Sequence, residues 1–311
     1  MSGAARNRHW ADLGESTFVA GIWLLYGLHR LTGRWGFRLV LAPVVLFHWL
    51  SRPGLRRDSL QYLRRLHDYR PVFAKPPGWP QGLRHVALFA ETMLDKLLAI
   101  AGRYPVERVT IVGAGPLRQA AAAGQGGIIV TAHIGCLELC RALIDDGGAF
   151  RLNVLVHTAH AQDFNRILQR LNPHSRVRLI EVTEIDVGTA MLLSEKVAAG
   201  EFVAIAGDRI PVRQSKTVLV DFLGHPAQFP VGPYVLAGLL KCPLYMLSCL
   251  HAGRGYAIRF DLLAQQVLLP RGQREQALQK HAEQYVFALS ELLHESPYDW
   301  FNFFPFWDQT T

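Results

Sequence analysis

"IIVTAHIGCLELCRALIDDGG", Ile128 to Gly148, begins as a strand and continues as a helix. The run from Gly126 to Ala132 is apolar and rich in β-branched residues, which suits a strand buried on both faces. His133 follows at once. Gly135 permits a tight turn, and "CLELCRALI" then carries apolar residues at helical spacing, predicting a helix over 137–145. A strand handing over to a helix in this way is the repeating unit of a parallel sheet. Such sheets gather their chemistry at the carboxyl ends of their strands, which is where His133 falls.

The same alternation extends in both directions. Residues 84–101 show helical spacing, and strands are expected at 108–113, 127–132, 152–157, 177–182, 202–207, 217–223 and 243–250, with 256–263 as an edge. Helices fit between them near 115–123, 163–171, 185–199, 229–240 and 272–294. This order predicts an α/β fold: a largely parallel, mixed sheet covered by helices on both faces. "VTIVGAGPLR", Val109 to Arg118, imitates a dinucleotide fingerprint, but Arg118 stands where the third glycine belongs. No acidic residue follows about 20 positions on to hold a ribose.

Glu138 falls in the first turn of the expected helix, where the helix dipole favours a carboxylate. Across a strand–turn–helix corner it can reach back to His133. A carboxylate on one imidazole nitrogen fixes the tautomer, leaves the other nitrogen as an acceptor and stabilises the imidazolium, which is what a general base requires. The spacing is weak evidence alone: with thirteen histidines and twenty-five acids in the chain, about one His-x4-acid arises by chance. A capping glutamate beside a histidine that satisfies a buried carbonyl explains it as well. Metal ligation through His133, Cys136 and Cys140 lacks a second ligand cluster, so no metal is expected.

The chain has 311 residues and a net charge of +8. Residues 1–70 hold eleven arginines against four acids, so the remainder is nearly neutral. A basic segment beside apolar runs points to anionic lipid, with a solvated basic face as the plainer reading; nucleic-acid modules carry their charge on the folded domain. The runs "STFVAGIWLLYGLHRL" and "FRLVLAPVVLFHWL" fall short of the roughly 18–20 uninterrupted apolar residues of a clear membrane span. Trp23, Tyr26, Trp35 and Trp49 lie near their ends, and Pro43 should kink the second. These features divide the chain into a basic, apolar, membrane-anchoring helical region over 1–70 and an α/β domain over 71–311. A helical layer packed on the domain is the competing reading. Four cysteines without a C-x-x-C pair fit a reducing compartment.

"AHIGCLEL", Ala132 to Leu139, resembles the His-x4-acid block of the lysophospholipid acyltransferase superfamily, in the branch that contains the bacterial lipid A late acyltransferases. Similar too are the Asp208-Arg209 pair after a strand, "FLGHPA" (222–227), "FPVGP" (229–233), "FNRILQRLNP" (164–173), the opening from Arg8 to Leu46 and the aromatic tail "YDWFNFFPFW" (298–307). The resemblance covers nearly the whole chain. It departs after the last tryptophan, where the lipid A enzymes carry a basic tail, and in the form of the Asp208-Arg209 segment, so the chain looks like a sister group and the resemblance leaves the acceptor open.

The resemblance implies transfer of a fatty acyl chain from an acyl thioester to a hydroxyl or amine of a lipid or lipid-linked acceptor. The donor is expected on acyl carrier protein, with coenzyme A as the alternative, and no cofactor is needed. His133 would take the acceptor's proton while Glu138 orients the imidazole. No G-x-S-x-G elbow occurs, so direct attack is expected rather than an acyl-enzyme. Arg209 or backbone N–H groups near Gly135 are candidate oxyanion donors, with Asp208 opening on the same face. Phe222, Gly224 and Ala227 are candidates for passing the acyl chain or acceptor, and Arg166, Arg170, Arg213 and Lys216 for contacting acceptor or carrier. The expected place is the cytoplasmic face of the bacterial inner membrane. A thioesterase using the same pair, and a lipid-binding protein without catalysis, are the rival readings.

Overall fold

The computed structural model describes residues 18–140, 150–156, 177–181, 187–210 and 216–309. Nine strands follow in chain order among these residues: β1 (Val109–Val112), β2 (Gly127–Thr131), β3 (Leu152–Val156), β4 (Val177–Glu181), β5 (Phe202–Ala206), β6 (Thr217–Phe222), β7 (His225–Pro230), β8 (Leu244–Ala252) and β9 (Gly255–Ala264). Seven of them build one sheet in the order β1-β9-β8-β2-β5-β3-β4, parallel throughout except for the β8–β9 pair. The expected mixed, largely parallel sheet is therefore present. β2 occupies its centre, and Ile128, Ile129 and Val130 are fully buried. Burying each of those side chains stabilises the fold by about 1.5–3 kcal/mol.

Helices cover both faces. On one side lie α1 (Phe18–Ser51), α3 (Trp79–Ile100) and α4 (Ala114–Ala122), packed with Ile129, Phe202 and Tyr245. α2 (Pro53–Tyr69) meets the opposite core, where Ile128 and Val130 pack with α5 (Val187–Ala198), α6 (Gly232–Leu240) and α7 (Arg274–Glu295). The expected helix over 163–171 lies outside the described residues.

Three local expectations are corrected. β9 is internal rather than an edge, because β1 adds beside it in parallel from Val109↔Tyr256 to Val112↔Arg259. The helix expected from 229 begins at Gly232, because residues 225–230 pair with β6 as a hairpin. Its tight turn places Leu223 at φ 55° and Gly224 at φ 76°, the left-handed pair that matches strand twist. The break in α1 falls at Gly33, with φ 68° and ψ −170°, while Pro43 sits inside the helical run. Gly113, the first glycine of the false fingerprint, is explained by packing: a Cβ there would lie 2.2 Å from the Phe260 carbonyl oxygen.

α1 faces two ways. Phe37, Leu41, Val45 and Trp49 are buried at helical spacing, and Arg34 and Arg38 pair with Asp95 and Glu91 of α3. On the outer side Leu31, Trp35, Leu39 and Phe47 remain exposed, Trp35 by 83%. No helix among the described residues is long and apolar enough to cross a membrane. Not every arginine of the region faces outward. Arg56 donates to the Trp49 and Leu50 carbonyls at 2.7 Å, capping α1, and Arg65 stacks 4.3 Å over the Trp307 ring.

Candidate active site

β2 and β5 are parallel neighbours, with Thr131 opposite Ala206, so the residues just after each strand emerge side by side. Those residues are His133 and Asp208. The imidazole Nδ1 lies 2.8 Å from Asp208 Oδ1, and the His133 backbone N–H donates to Asp208 Oδ2 at 2.9 Å. A third donor, the indole N–H of Trp300, reaches the same Oδ2 at 2.9 Å. Asp208 is 1% exposed, whereas the His133 side chain is 47% exposed. Burial alone would raise the Asp208 carboxyl. The neighbouring charge and hydrogen bonds of His133, with Arg209 beside them, outweigh it and hold the group far below the usual carboxylate range. A carboxylate that only accepts requires a proton on Nδ1, so in the neutral ring the free lone pair lies on Nε2. Among the described residues nothing hydrogen-bonds Nε2.

Arg209 flanks this pair. Its Nε lies 3.3 Å from His133 Nδ1, its Nη2 donates to the Phe301 carbonyl at 3.3 Å, and its guanidinium stands 4.3 Å over the Phe304 ring. Because Nδ1 already donates to Asp208 over the shorter distance, Arg209 acts on the imidazole as a nearby charge rather than as a further donor. Burial lowers the guanidinium's affinity for its proton, and the Asp208 charge opposes this.

Glu138 points elsewhere. Its carboxylate forms an ion pair with Lys96 of α3 at 3.1 Å, and the Cys136 thiol lies 3.8 Å away. Burial would lower the Lys96 ammonium, but the charge of Glu138 outweighs it and the net shift is upward. No hydrogen bond or ion pair joins Glu138 to His133 among the described residues. The imidazole partner in the structure is Asp208, 75 residues away in sequence. The expected helix begins as a 3-10 turn, Leu137–Cys140, and its continuation lies outside the described residues.

The corner is set by Gly135, at φ +52°, where an added Cβ would lie 1.7 Å from the Cys249 carbonyl oxygen. Its N–H is engaged, donating to the Asp299 carbonyl at 2.9 Å, and the next N–H, of Cys136, donates to Cys249. Neither is free for an oxyanion. Gly135→Ala is expected to destabilise the protein by about 2–4 kcal/mol, since it adds both backbone strain and a clash with backbone. Denaturant titration checks this; an alanine variant as stable as the unaltered chain would show room that the geometry denies.

The remaining candidates separate. Phe222 and Ala227 are buried, Phe222 among the rings of Phe229, Trp300 and Phe306, so here they pack the core rather than line a passage. Gly224 closes the hairpin, its N–H donating to Asp221. Lys216 forms an exposed ion pair with Glu275. Arg166, Arg170 and Arg213 lie outside the described residues. Among the described residues no cluster of three metal-ligating side chains occurs.

The sequence marks the tail after α7 as family-like but gives it no role at the site. Ile134 bridges Trp300, the Phe301 N–H donates to the His133 carbonyl at 2.9 Å, and His85 Nε2 lies 2.8 Å from the Trp300 carbonyl. The only trace of this in the sequence is the density of aromatic residues from Tyr298 to Trp307.

The family model of the bacterial lipid A biosynthesis acyltransferases matches residues 85–308, from the first third of α3 through the tail that braces His133. No curated protein matches the chain. The match spans most of the chain and takes in the whole sheet together with the His133–Asp208 pair, and the chain therefore belongs to the bacterial lipid A biosynthesis acyltransferase family, within the lysophospholipid acyltransferase superfamily.

Proposed function

We propose that this acyltransferase moves a fatty acyl chain from a thioester of acyl carrier protein to a hydroxyl or amine of a lipid or lipid-linked acceptor, with His133 as general base. The observation that carries the reading is an imidazole at the central strand's carboxyl edge, its Nδ1 fixed by Asp208 and its Nε2 open. As the acceptor oxygen or nitrogen attacks the thioester carbonyl, Nε2 takes its proton, and Asp208 stabilises the imidazolium. Collapse of the tetrahedral intermediate breaks the carbon–sulfur bond. The proton passes from the imidazolium to the leaving thiolate, yielding acylated acceptor and free thiol. Arg209, beside the imidazole, is the cation available to the developing oxyanion. Glu138 serves one step out, tying the corner that carries His133 to α3 through Lys96.

Proteins of this family are membrane-associated. The exposed apolar face of α1, from Leu31 through Phe47, fits insertion into the headgroup boundary, with Arg52, Arg57 and Arg64 exposed nearby for anionic lipid. This reading puts the protein on the cytoplasmic face of the inner membrane, where acyl carrier protein is available.

The test is incubation of the purified full-length chain with a radiolabelled fatty acyl thioester of acyl carrier protein, with and without bacterial lipid extract. Label on lipid only when extract is present is the expected result. Free fatty acid at the same rate in both arms would replace transfer by hydrolysis, and an unchanged thioester would exclude the carrier protein as donor.

A further inference from the structure

The segment Asp299–Trp300–Phe301 crosses directly beneath the corner that carries His133. We infer that Trp300 is a positioning residue for the general base, acting through Asp208; the inference rests on the proposed role of His133. The indole N–H and the His133 backbone N–H both donate to Asp208 Oδ2, each at 2.9 Å. Two donors on one oxygen lock the plane of the carboxylate and leave Oδ1, at 2.8 Å, for the imidazole Nδ1. Without the indole, the carboxylate keeps a single hinge-like donor on Oδ2 and is free to turn Oδ1 away from the ring.

The indole itself has no freedom. It is fully buried, with Tyr62, Phe222 and Phe306 edge-on to it at centroid distances of 4.9, 5.3 and 4.9 Å. Its backbone is fixed on both sides. Before it, the Asp299 carboxylate accepts from the His251 backbone N–H at 2.7 Å, from the His251 ring, and from Ser296 Oγ at 2.6 Å. After it, Phe301 is bonded to His133 and to Arg209. The Trp300 carbonyl accepts from His85, whose other ring nitrogen lies 2.9 Å from Ser59 Oγ. Burial drives the His85 imidazole down to about 4 despite that bond to Trp300, so it stays neutral and its tautomer is set: Nε2 donates and Nδ1 accepts. A tail of this kind is a rigid support for one hydrogen bond, 92 residues from the carboxylate it serves.

Two variants isolate that bond. In the first, Trp300 is replaced by the benzothienyl analogue of tryptophan, which keeps the ring's shape and exchanges N–H for sulfur; the second is Trp300→Phe. Both are assayed with the acyl carrier protein thioester and lipid extract, alongside His133→Ala. The expected result is a loss of about 10–100-fold in kcat with KM within about twofold, in both variants, the range usual for removing an outer-shell hydrogen bond. Full turnover by the benzothienyl protein, beside an inactive His133→Ala protein, overturns the role of Trp300 and leaves that of His133 standing. A Phe variant that is slow and thermally weakened beside an unimpaired benzothienyl protein also overturns it, because ring volume alone then matters. Sustained turnover by His133→Ala overturns both readings together.

Discussion

Replacing His133 with alanine is expected to lower turnover by about 10²–10⁴, the scale of losing a general base and equivalent to about 2.7–5.4 kcal/mol of transition-state stabilisation. The fold should survive. Nearly half of the imidazole surface is already exposed, so truncation opens no core cavity. Asp208 is the residue at risk, because it is 1% exposed and loses its ring partner. Alanine nevertheless keeps the backbone N–H that donates to Oδ2, and the Trp300 indole still donates to the same oxygen. Two of the three donors to the carboxylate therefore remain, and thermal unfolding should move little. Turnover with the acyl thioester and lipid extract, read beside the unfolding curve, checks both halves. A loss of about tenfold or less in a folded protein would remove His133 from the chemistry.

How much of this was legible in the chain follows from the range of each interaction. β2 announces itself through Ile128, Ile129 and Val130, because a strand buried on both faces must be apolar on both. β7 does not, since Pro226 reads as a loop residue and Pro230 falls at the start of the helix expected over 229–240. Both are tolerated because, among the described residues, β7 pairs only with β6 and no ladder forms on its other edge. The position of His133 at a strand's end was readable for the same local reason. Its carboxylate partner was not. Glu138 is near in sequence, but the left-handed turn at Gly135 carries the chain toward α3, where Lys96 receives it. Asp208 is far in sequence and becomes a neighbour only because β2 lies beside β5, an adjacency that no periodicity reveals. The aromatic tail was visible as composition, while its function depends on which groups its backbone meets. Long-range pairing is set by strand order, and strand order is a property of the whole sheet.

Asp208→Asn is expected to reduce turnover by a similar factor, on the order of 10²–10⁴, through the wrong tautomer rather than through lost structure. The argument is one of donors and acceptors. The His133 backbone N–H and the Trp300 indole N–H both point at Oδ2, so an asparagine must place its carbonyl oxygen there. Its NH2 group then faces the imidazole Nδ1, at the position where Asp208 Oδ1 now sits 2.8 Å away. A donor facing Nδ1 requires that nitrogen to accept, which drives the ring's single proton to Nε2. The nitrogen that should take the acceptor's proton then already carries one. Glu138→Gln makes no such demand, because Glu138 meets Lys96 and not the imidazole, and a loss of about tenfold or less is expected. Measuring kcat for both variants against the same thioester and lipid extract separates the two carboxylates. If Glu138→Gln is the crippled protein and Asp208→Asn turns over freely, the imidazole works with Glu138 during the reaction, and the Asp208 contact belongs to the resting protein alone.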